Sequence, residues 1–139
     1  MFVLLLETGD ELVGCIEQFA RKNKIVGAQI TALGSLSDIS LACFDWKTKK
    51  YKKAVEIRQQ VQVLSFIGDI AHEKGEPKAH CYLVVAKQDG AVYGGHLLQA
   101  HVRPALEVIL MEASQYFQRR YDPDSGLALI RPEPHPHKL

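Results

Sequence analysis

The sequence has 139 residues, of which 47% are hydrophobic and 24% charged, with a formal net charge of +1. This composition is typical of one globular domain, and the balanced charge disfavours a dedicated DNA-binding domain with its usual basic excess. Cys15, Cys43 and Cys81 form neither a Cys-x-x-Cys zinc pair nor a disulfide framework, which predicts reduced thiols in a cytoplasmic protein. The first apolar run ends at Glu7, too early for a signal peptide or a membrane span.

Phe2 to Leu6 is an unbroken apolar run, as expected for a strand that is covered on both faces. A helix is predicted over 12–23, because apolar residues recur there at helical spacing. Further strands are predicted at Ala28–Leu33, Ile39–Trp46, Tyr51–Arg58, Val61–Ile67, Ala79–Ala86, Val92–His101 and Leu106–Met111. Loops are expected at 34–38 and 72–78. One early helix followed by many short strands favours an antiparallel α+β domain over a parallel sheet.

The pattern weakens from Ser114 onward. Residues 116–121 fit either a helical turn or an edge strand, and 127–130 predict a last short strand. We expect residues 1–113 to form the domain, 114–130 to be a C-terminal extension packed on it, and 131–139 to be a flexible tail. The prolines of that tail remove backbone donors and cannot continue a sheet. His135 and His137 are expected to belong to the tail rather than to a metal site.

The main candidate site lies between Ala79 and Leu98, where two predicted strands carry His80 and His96 and meet at a tight turn. The length of that turn decides which side chains share a face. A two-residue turn pairs Leu83 with His96 and places the two histidines on opposite faces.

A three-residue loop over 88–90 instead pairs Tyr82 with His96, which brings His80, Tyr82 and His96 to one face. We favour this longer loop, although a bulge at Gly94–Gly95 would reverse either result. Gly94 and Gly95 are expected to permit close packing of the backbone or a bulge.

Three interpretations of the ligand candidates His80, Tyr82, His96 and Glu107 remain open. We favour the first, in which both histidines are partly buried and hydrogen-bonded to the backbone or to Glu107. In the second, His80 and His96 hold a divalent metal such as zinc, although zinc prefers three or four ligands and tyrosine is a poor substitute. In the third they form a general acid–base pair. The sequence contains no familiar catalytic motif, so it favours a protein without enzyme activity.

Six segments in order carry a resemblance to a known family: Leu6–Leu12, Ile30–Asp38, Leu41–Asp45, Leu64–Ile70, Gly94–Leu98 and Glu107–Val108. Together they resemble the PPC domain, the plant and prokaryote conserved domain, over roughly residues 2–112. The resemblance implies one helix against a mainly antiparallel sheet, assembled as a homotrimer that contacts regulatory proteins. Single-domain prokaryotic members are described as candidate DNA-binding proteins. Some resemble metal binders, through a His-x-His pair and the histidine of the Gly-Gly-His-Leu motif.

The sequence departs from this family at several positions. Tyr82 stands where the second histidine of the pair is expected, and Leu5 replaces a basic residue of the first strand. Residues 59–64 lack the charged and aromatic side chains of the plant partner-binding segment, and no AT-hook precedes the first strand. These differences leave the fold expectation intact and weaken the metal expectation.

A basic run around Tyr51 supplies the candidate nucleic-acid contacts, namely Lys47, Lys49, Lys50, Lys52 and Lys53. The simpler interpretation is a solvated hairpin loop. If the run binds DNA, we expect contacts to phosphates that are salt-sensitive and indifferent to sequence. The sequence thus predicts a homotrimeric regulatory or interaction module associated with DNA. The alternative is a metal- or small-ligand-binding enzyme that uses His80 and His96 in a cleft between subunits.

Overall fold

The computed structural model describes residues 1–113 and 118–131. Within these ranges the elements in chain order are β1 (Phe2–Glu7), α1 (Leu12–Lys22), β2 (Gly27–Asp45), β3 (Lys50–Ile57), β4 (Val61–Glu73), β5 (Glu76–Ala86), β6 (Val92–Glu112), β7 (Arg119–Asp122) and β8 (Leu127–Ile130). The predicted α+β class, with one early helix on a mainly antiparallel sheet, is confirmed. The helix bounds agree with the prediction to within one residue.

The main sheet has the order β1-β6-β5-β4-β2-β3, and all its pairings are antiparallel. β2 and β6 also pair directly, so β2, β4, β5 and β6 form a closed ring of hydrogen-bonded neighbours. β7 and β8 form a separate two-stranded hairpin. The sheet therefore has an inner face, which encloses the core, and an outer face, on which the candidate site lies.

The core lies between the inner face of the sheet and α1. Leu12, Ile16 and Ala20 recur on one side of the helix and are fully buried, as are Ile30 and Leu110 from the two longest strands. The Glu11 carboxylate caps the helix by accepting hydrogen bonds from the backbone N–H groups of the first turn. Burial of these aliphatic side chains is the main force that holds the helix on the sheet.

In two places, successive strands that the sequence predicts separately form a single long strand in the structure. The predicted break at 34–38 is wrong, because β2 continues through it with shifts of register on either side of Gly34. Gly34 has a φ of +149° and packs so closely on the backbone of Ala105 that a side chain would clash. Likewise β6 runs from Val92 to Glu112 without the predicted interruption after His101. The residues that suggested strand ends mark bulges instead.

The predicted loop over 72–78 is also wrong. β4 extends to Glu73 and β5 begins at Glu76, which leaves Lys74 and Gly75 as a two-residue turn. Both have positive φ, 51° and 80°, as the tight turns that match strand twist require. Polar composition here reflects a turn and exposed strand ends rather than a long loop.

The C-terminal extension contains β7 and β8, of which β8 coincides with the predicted strand at 127–130. Of the two alternatives for 116–121, the structure has a strand from Arg119 onward, while 116 and 117 lie outside the described residues. The predicted tail, apart from Arg131, also lies outside them, and so do His135 and His137.

Candidate functional site

The hairpin between β5 and β6 has the register that the three-residue loop predicts. Lys87 donates its N–H to Ala91 O at 2.9 Å, and Tyr82 lies directly opposite His96. Pairing continues without a shift from His96 back to Val92, so no bulge at the two glycines alters this register. His80, Tyr82 and His96 therefore share the outer face of the sheet, as predicted.

These side chains line a cavity of about 290 Å³ between the outer face and the β7–β8 hairpin. Its walls are formed by Tyr51, Ile67, Gly68, Asp69, His80, Tyr82, His96, Arg119, Leu127, Ala128 and Leu129. They come from β3, β4, β5, β6, β7 and β8, so the cavity forms only when the sheet and the C-terminal hairpin are both in place.

One wall of the cavity is aromatic and centres on His96. The Tyr51 ring stacks on the imidazole with 4.3 Å between ring centroids and 24° between ring planes. Tyr82 meets the same imidazole edge-on at 5.9 Å, and His80 lies 6.3 Å away. Such offset and edge contacts are the favourable arrangements for aromatic rings. The wall is thus a cluster of aromatic rings in mutual contact, of which Tyr51 and His96 are stacked and Tyr82 is edge-on.

Arg119 fastens the β7–β8 hairpin over the cavity. Its Nη2 donates to both oxygens of Asp69 at 2.8 Å, and its Nη1 donates to Ala128 O at 2.9 Å. Only 12% of the Arg119 side chain and 30% of the Asp69 side chain are exposed. Ion pairs that are this shielded interact more strongly than surface pairs. This contact ties the C-terminal extension to β4.

Burial determines the protonation of the site. It lowers the pKa of His80, and the Arg119 guanidinium lowers it further, although Asp69 and Glu73 oppose the change. Burial also lowers the pKa of His96, with smaller effects from His80 and Arg119. Both imidazoles are therefore uncharged at neutral pH. Burial, followed by the neighbouring Tyr82, raises the pKa of Tyr51, so its hydroxyl keeps its proton.

The described residues around His80 and His96 do not fit a metal centre. Among residues 1–113 and 118–131, no three His, Cys, Asp or Glu side chains are grouped so that they can hold an ion. His80 Nε2 lies 3.6 Å from Glu73 Oε2, too far for a hydrogen bond, and has no other partner in that part of the chain. Burial raises the pKa of the Cys81 thiol to about 12, which disfavours the thiolate that metals bind.

The placement of Glu107 in this site is wrong. Glu107 lies opposite Leu5 of β1 and Leu33 of β2, while His96 lies at the other end of β6 beside β5. The misplacement follows from the length of β6, because predicting two strands there left their relative position open. Within one chain, the carboxylate therefore neither lines the cavity nor contacts the histidines.

The two glycines before His96 differ in their surroundings. A Cβ on Gly95 would lie 2.8 Å from Ala42 O, and a Cβ on Gly94 would lie 3.3 Å from Val84 Cγ2. Only the first distance requires the neighbouring backbone to shift. Gly95 thus permits the close approach of β6 to β2 that positions His96.

The basic run is partly neutralised by nearby acids. Lys52 pairs with Asp45 at 2.6 Å and Lys53 pairs with Glu56 at 2.9 Å. Lys49 lies over the Trp46 ring and donates to Asp124 O at 2.9 Å. Lys47 and Lys50 also lie at this end of the β2–β3 hairpin. The lysines lie close together, but three of the five have partners within the chain.

A family model of the Plants and Prokaryotes Conserved (PCC) domain matches residues 1–114. The chain belongs to this family. The family is the one that the sequence resembles, called the PPC domain above, and its match ends just before the part of the chain that carries β7 and β8.

A curated relative is the bifunctional protein GlmU from Synechococcus sp. strain JA-3-3Ab, which is 29% identical over 129 residues. This match covers 91% of the present chain and 19% of that relative, so the chain spans about a fifth of its length.

Two solved structures are similar to this PPC domain. The first is a metal-containing protein from Archaeoglobus fulgidus, 32% identical, with a TM-score of 0.86. The alignment covers 94% of this chain and 91% of that one. The second is a candidate DNA-binding protein from Bacteroides thetaiotaomicron, 26% identical, with a TM-score of 0.87. Its alignment covers 93% of this chain and 90% of the Bacteroides protein.

The part of the outer face away from the cavity is largely apolar, and within the described part of the chain nothing covers it. We define this open half by the exposed side chains that it carries on β1, β2 and β6, which are Val3, Leu5, Leu33, Ile109 and Met111. Val3 and Thr31 both lie opposite Ile109, and Ile67 of the cavity lies opposite Thr31, so the open half adjoins the cavity. No helix in the described part of the chain is long and apolar enough to cross a membrane.

Sequence reasoning missed Asp69 and Arg119 as parts of the site and named Tyr51 only as the aromatic residue within the basic run. Asp69 follows Gly68 on β4, where a Cβ would lie 2.7 Å from both Cys81 Sγ and His80 O. That close approach brings Asp69 opposite His80, but one sequence does not show it. Arg119 lies in a segment whose pattern was ambiguous, so no local signal could have located it.

Proposed function

We propose that this PPC domain is a regulatory or interaction module that assembles as a homotrimer through the open half and associates weakly with DNA. The observation that carries the proposal is the apolar open half itself. Val3, Leu5 and Leu33 have 67%, 61% and 66% of their surface exposed. Contiguous apolar side chains at this exposure are typical of interaction surfaces.

A second copy of the chain is the occupant that this surface suits best. Four of its side chains are aliphatic and the fifth is a methionine, and Glu107 is the acid that lies among them. Interfaces between identical subunits are likewise apolar at their centres and poor in charge. The homotrimer that the family resemblance implies supports the same assignment.

Sedimentation velocity of the full chain tests self-association. The wild type is expected to sediment as a trimer. Val3→Lys is expected to sediment as a monomer at the same concentration, because a charged group would have to be buried opposite Ile109 in a largely apolar interface. Val92→Lys is the matched control, since Val92 is also exposed but lies outside the open half. A monomeric wild type, or a Val3→Lys variant that remains trimeric, contradicts the proposal.

DNA association is the second part of the proposal, and the Bacteroides relative and the lysine run support it. Because Lys52 and Lys53 are already paired with acids, we expect weak binding that is dominated by phosphate contacts. Lys49 contacts the Trp46 ring and a backbone carbonyl, so Lys47 and Lys50 are the lysines of the run for which the described residues give no partner. The contact therefore depends on these two side chains most.

Fluorescence anisotropy with two duplexes of unrelated sequence tests this contact. Both duplexes are expected to bind alike at low salt and to dissociate as the salt concentration rises. The double variant Lys47→Glu/Lys50→Glu is expected to lose binding, whereas Lys22→Glu/Lys78→Glu, with the same charge change on other exposed lysines, is expected to bind more strongly than that variant. Binding that is insensitive to salt, or equal in the two variants, would remove DNA from the proposal and leave self-association in place.

The metal of the Archaeoglobus relative is not carried over to this chain. Tyr82, rather than a third imidazole, is the residue opposite His96 on the shared face, and the described residues provide no third ligand. For the same reason no metal-dependent reaction is proposed here.

A further inference from the structure

The cavity beneath β7 and β8 has the features of a ligand site that neither self-association nor DNA contact uses. Its volume of about 290 Å³ is close to the lower limit of small-molecule pockets, about 300 Å³. This volume admits one ring or two fused rings. The cavity also lies on strands rather than on loops, so its shape is fixed by the sheet.

Charges in the cavity cancel one another. Asp69 accepts two hydrogen bonds from Arg119, and a further Arg119 nitrogen is occupied by Ala128 O. The partly buried imidazoles of His80 and His96 carry no charge at neutral pH. A charged ligand would give up its hydration without gaining an unpaired charge of opposite sign. The lining therefore favours an uncharged ligand.

The walls of the cavity favour a flat ligand. The stacked pair of Tyr51 and His96, with Tyr82 against its edge, forms the aromatic wall described above. Leu127 and Leu129 of β8 are aliphatic lining residues from the hairpin. Aromatic and aliphatic walls of this kind bind rings by stacking and by burial of apolar surface. Tyrosine hydroxyls and imidazole nitrogens add directional hydrogen bonds.

We propose that this cavity binds an uncharged, planar heteroaromatic ligand of one or two rings. The ring packs against the aromatic wall, and its polar edge hydrogen-bonds with the tyrosine hydroxyls and imidazole nitrogens. This inference stands independently of the proposed trimer and of DNA association, because the site is built from residues of one chain.

A matched series of single-ring probes, one uncharged, one anionic and one cationic, tests the ligand class. Nicotinamide is uncharged, nicotinate is an anion and 1-methylnicotinamide is a cation, while adenine provides an uncharged two-ring probe. Titration of the full chain, followed by NMR, is expected to show nicotinamide or adenine binding at millimolar concentration or below. The uncharged ring is expected to bind at least about tenfold more tightly than its charged analogues, which corresponds to about 1.4 kcal/mol.

Two variants locate that binding. His96→Ala removes the centre of the aromatic wall, and Ala128→Trp fills the cavity without removing any polar group. Both are expected to weaken binding at least about tenfold. His101→Ala is the matched control, because His101 is a surface histidine bound to Asp38 outside the cavity. Circular dichroism verifies the fold of each variant, and Ala128→Trp keeps the test decisive if His96→Ala fails to fold.

Three results would overturn the proposal. The first is that neither uncharged probe binds at millimolar concentration. The second is that nicotinate or 1-methylnicotinamide binds as tightly as nicotinamide. The third is that binding survives in Ala128→Trp. Self-association and DNA binding are measured separately, so failure here leaves the proposed function unaffected.

Discussion

The two halves of the outer sheet face differ in their side chains and in what lies over them. The half over β4 and β5 lies partly beneath the β7–β8 hairpin, and its side chains include aromatic rings, imidazoles and the ion pair of Asp69 with Arg119. The open half over β1, β2 and the end of β6 carries apolar side chains that no residue in 1–113 or 118–131 covers. Both halves belong to the same sheet, and Thr31 of β2 and Ile67 of β4 lie at their boundary.

This difference separates two functions that one sheet face can support. Polar groups that are buried and paired hold a specific geometry, which a ligand site needs. Exposed aliphatic groups have little directional preference, and burial against another apolar surface stabilises them. The covered half is therefore suited to a small ligand, and the open half is suited to another copy of the chain.

The largest expected effect in the covered half comes from Arg119→Ala. It leaves the largely buried Asp69 without its partner, which costs about 3 kcal/mol. We expect the amides of β8 to exchange with solvent roughly a hundredfold faster, measured by hydrogen exchange. Arg58→Ala, which removes an exposed pair with Glu56, is the control and is expected to change little. Unchanged protection of β8 in Arg119→Ala would show that the hairpin is held by other contacts.

A smaller effect is expected from Gly95→Ala, which tests how His96 reaches the covered half. The new Cβ would press on Ala42 O, and overpacking of this kind costs about 2 kcal/mol. Gly94→Ala places a Cβ at the longer distance of 3.3 Å from a methyl group of Val84 and is expected to cost less than half as much. Urea unfolding of both variants measures the difference. Equal costs would mean that the two glycines have the same role.

The smallest effect is a dependence of stability on pH. Because the pKa values of His80 and His96 are lowered in the folded chain, the unfolded chain binds protons first as the pH falls below about 6.5. Their stabilising contribution is complete above that pH and decreases as the pH falls through the folded pKa values. Urea unfolding at pH 7.5 and pH 5.5 should therefore show a smaller loss of stability in His96→Gln than in the wild type.

His101 provides the opposite case. The hydrogen bond to Asp38 raises the pKa of His101, so its contribution is complete below its unfolded pKa and decreases as the pH rises through the folded pKa. His101→Gln should therefore make the loss of stability on acidification larger. Changes of the same sign in the two variants would contradict the assigned pKa directions. The Val3→Lys background keeps dissociation of subunits out of both measurements.

Local patterns were sufficient to predict the helix and the fold class, and they favoured the observed β5–β6 register. The helix follows from the apolar spacing of Leu12, Ile16 and Ala20, whereas Gly90 suits both a two-residue and a three-residue loop and does not by itself determine the register. Local patterns failed to predict the continuous strand β2. Gly34 suggests a loop in the sequence, and its close contact with the backbone of Ala105 is visible only in the folded chain. They also failed for Arg119, since its partner Asp69 lies fifty residues earlier in the chain.

The most direct test of the two-halves account is hydroxyl-radical footprinting of the wild type over a range of protein concentrations. Met111 lies in the open half and Tyr82 lies at the cavity, and both side chains are well exposed in the single chain. Met111 is expected to become protected as the concentration rises, while Tyr82 and Tyr121 remain reactive as internal references. Met111 reactivity that stays constant while the chain associates would contradict the assignment of the open half to self-association.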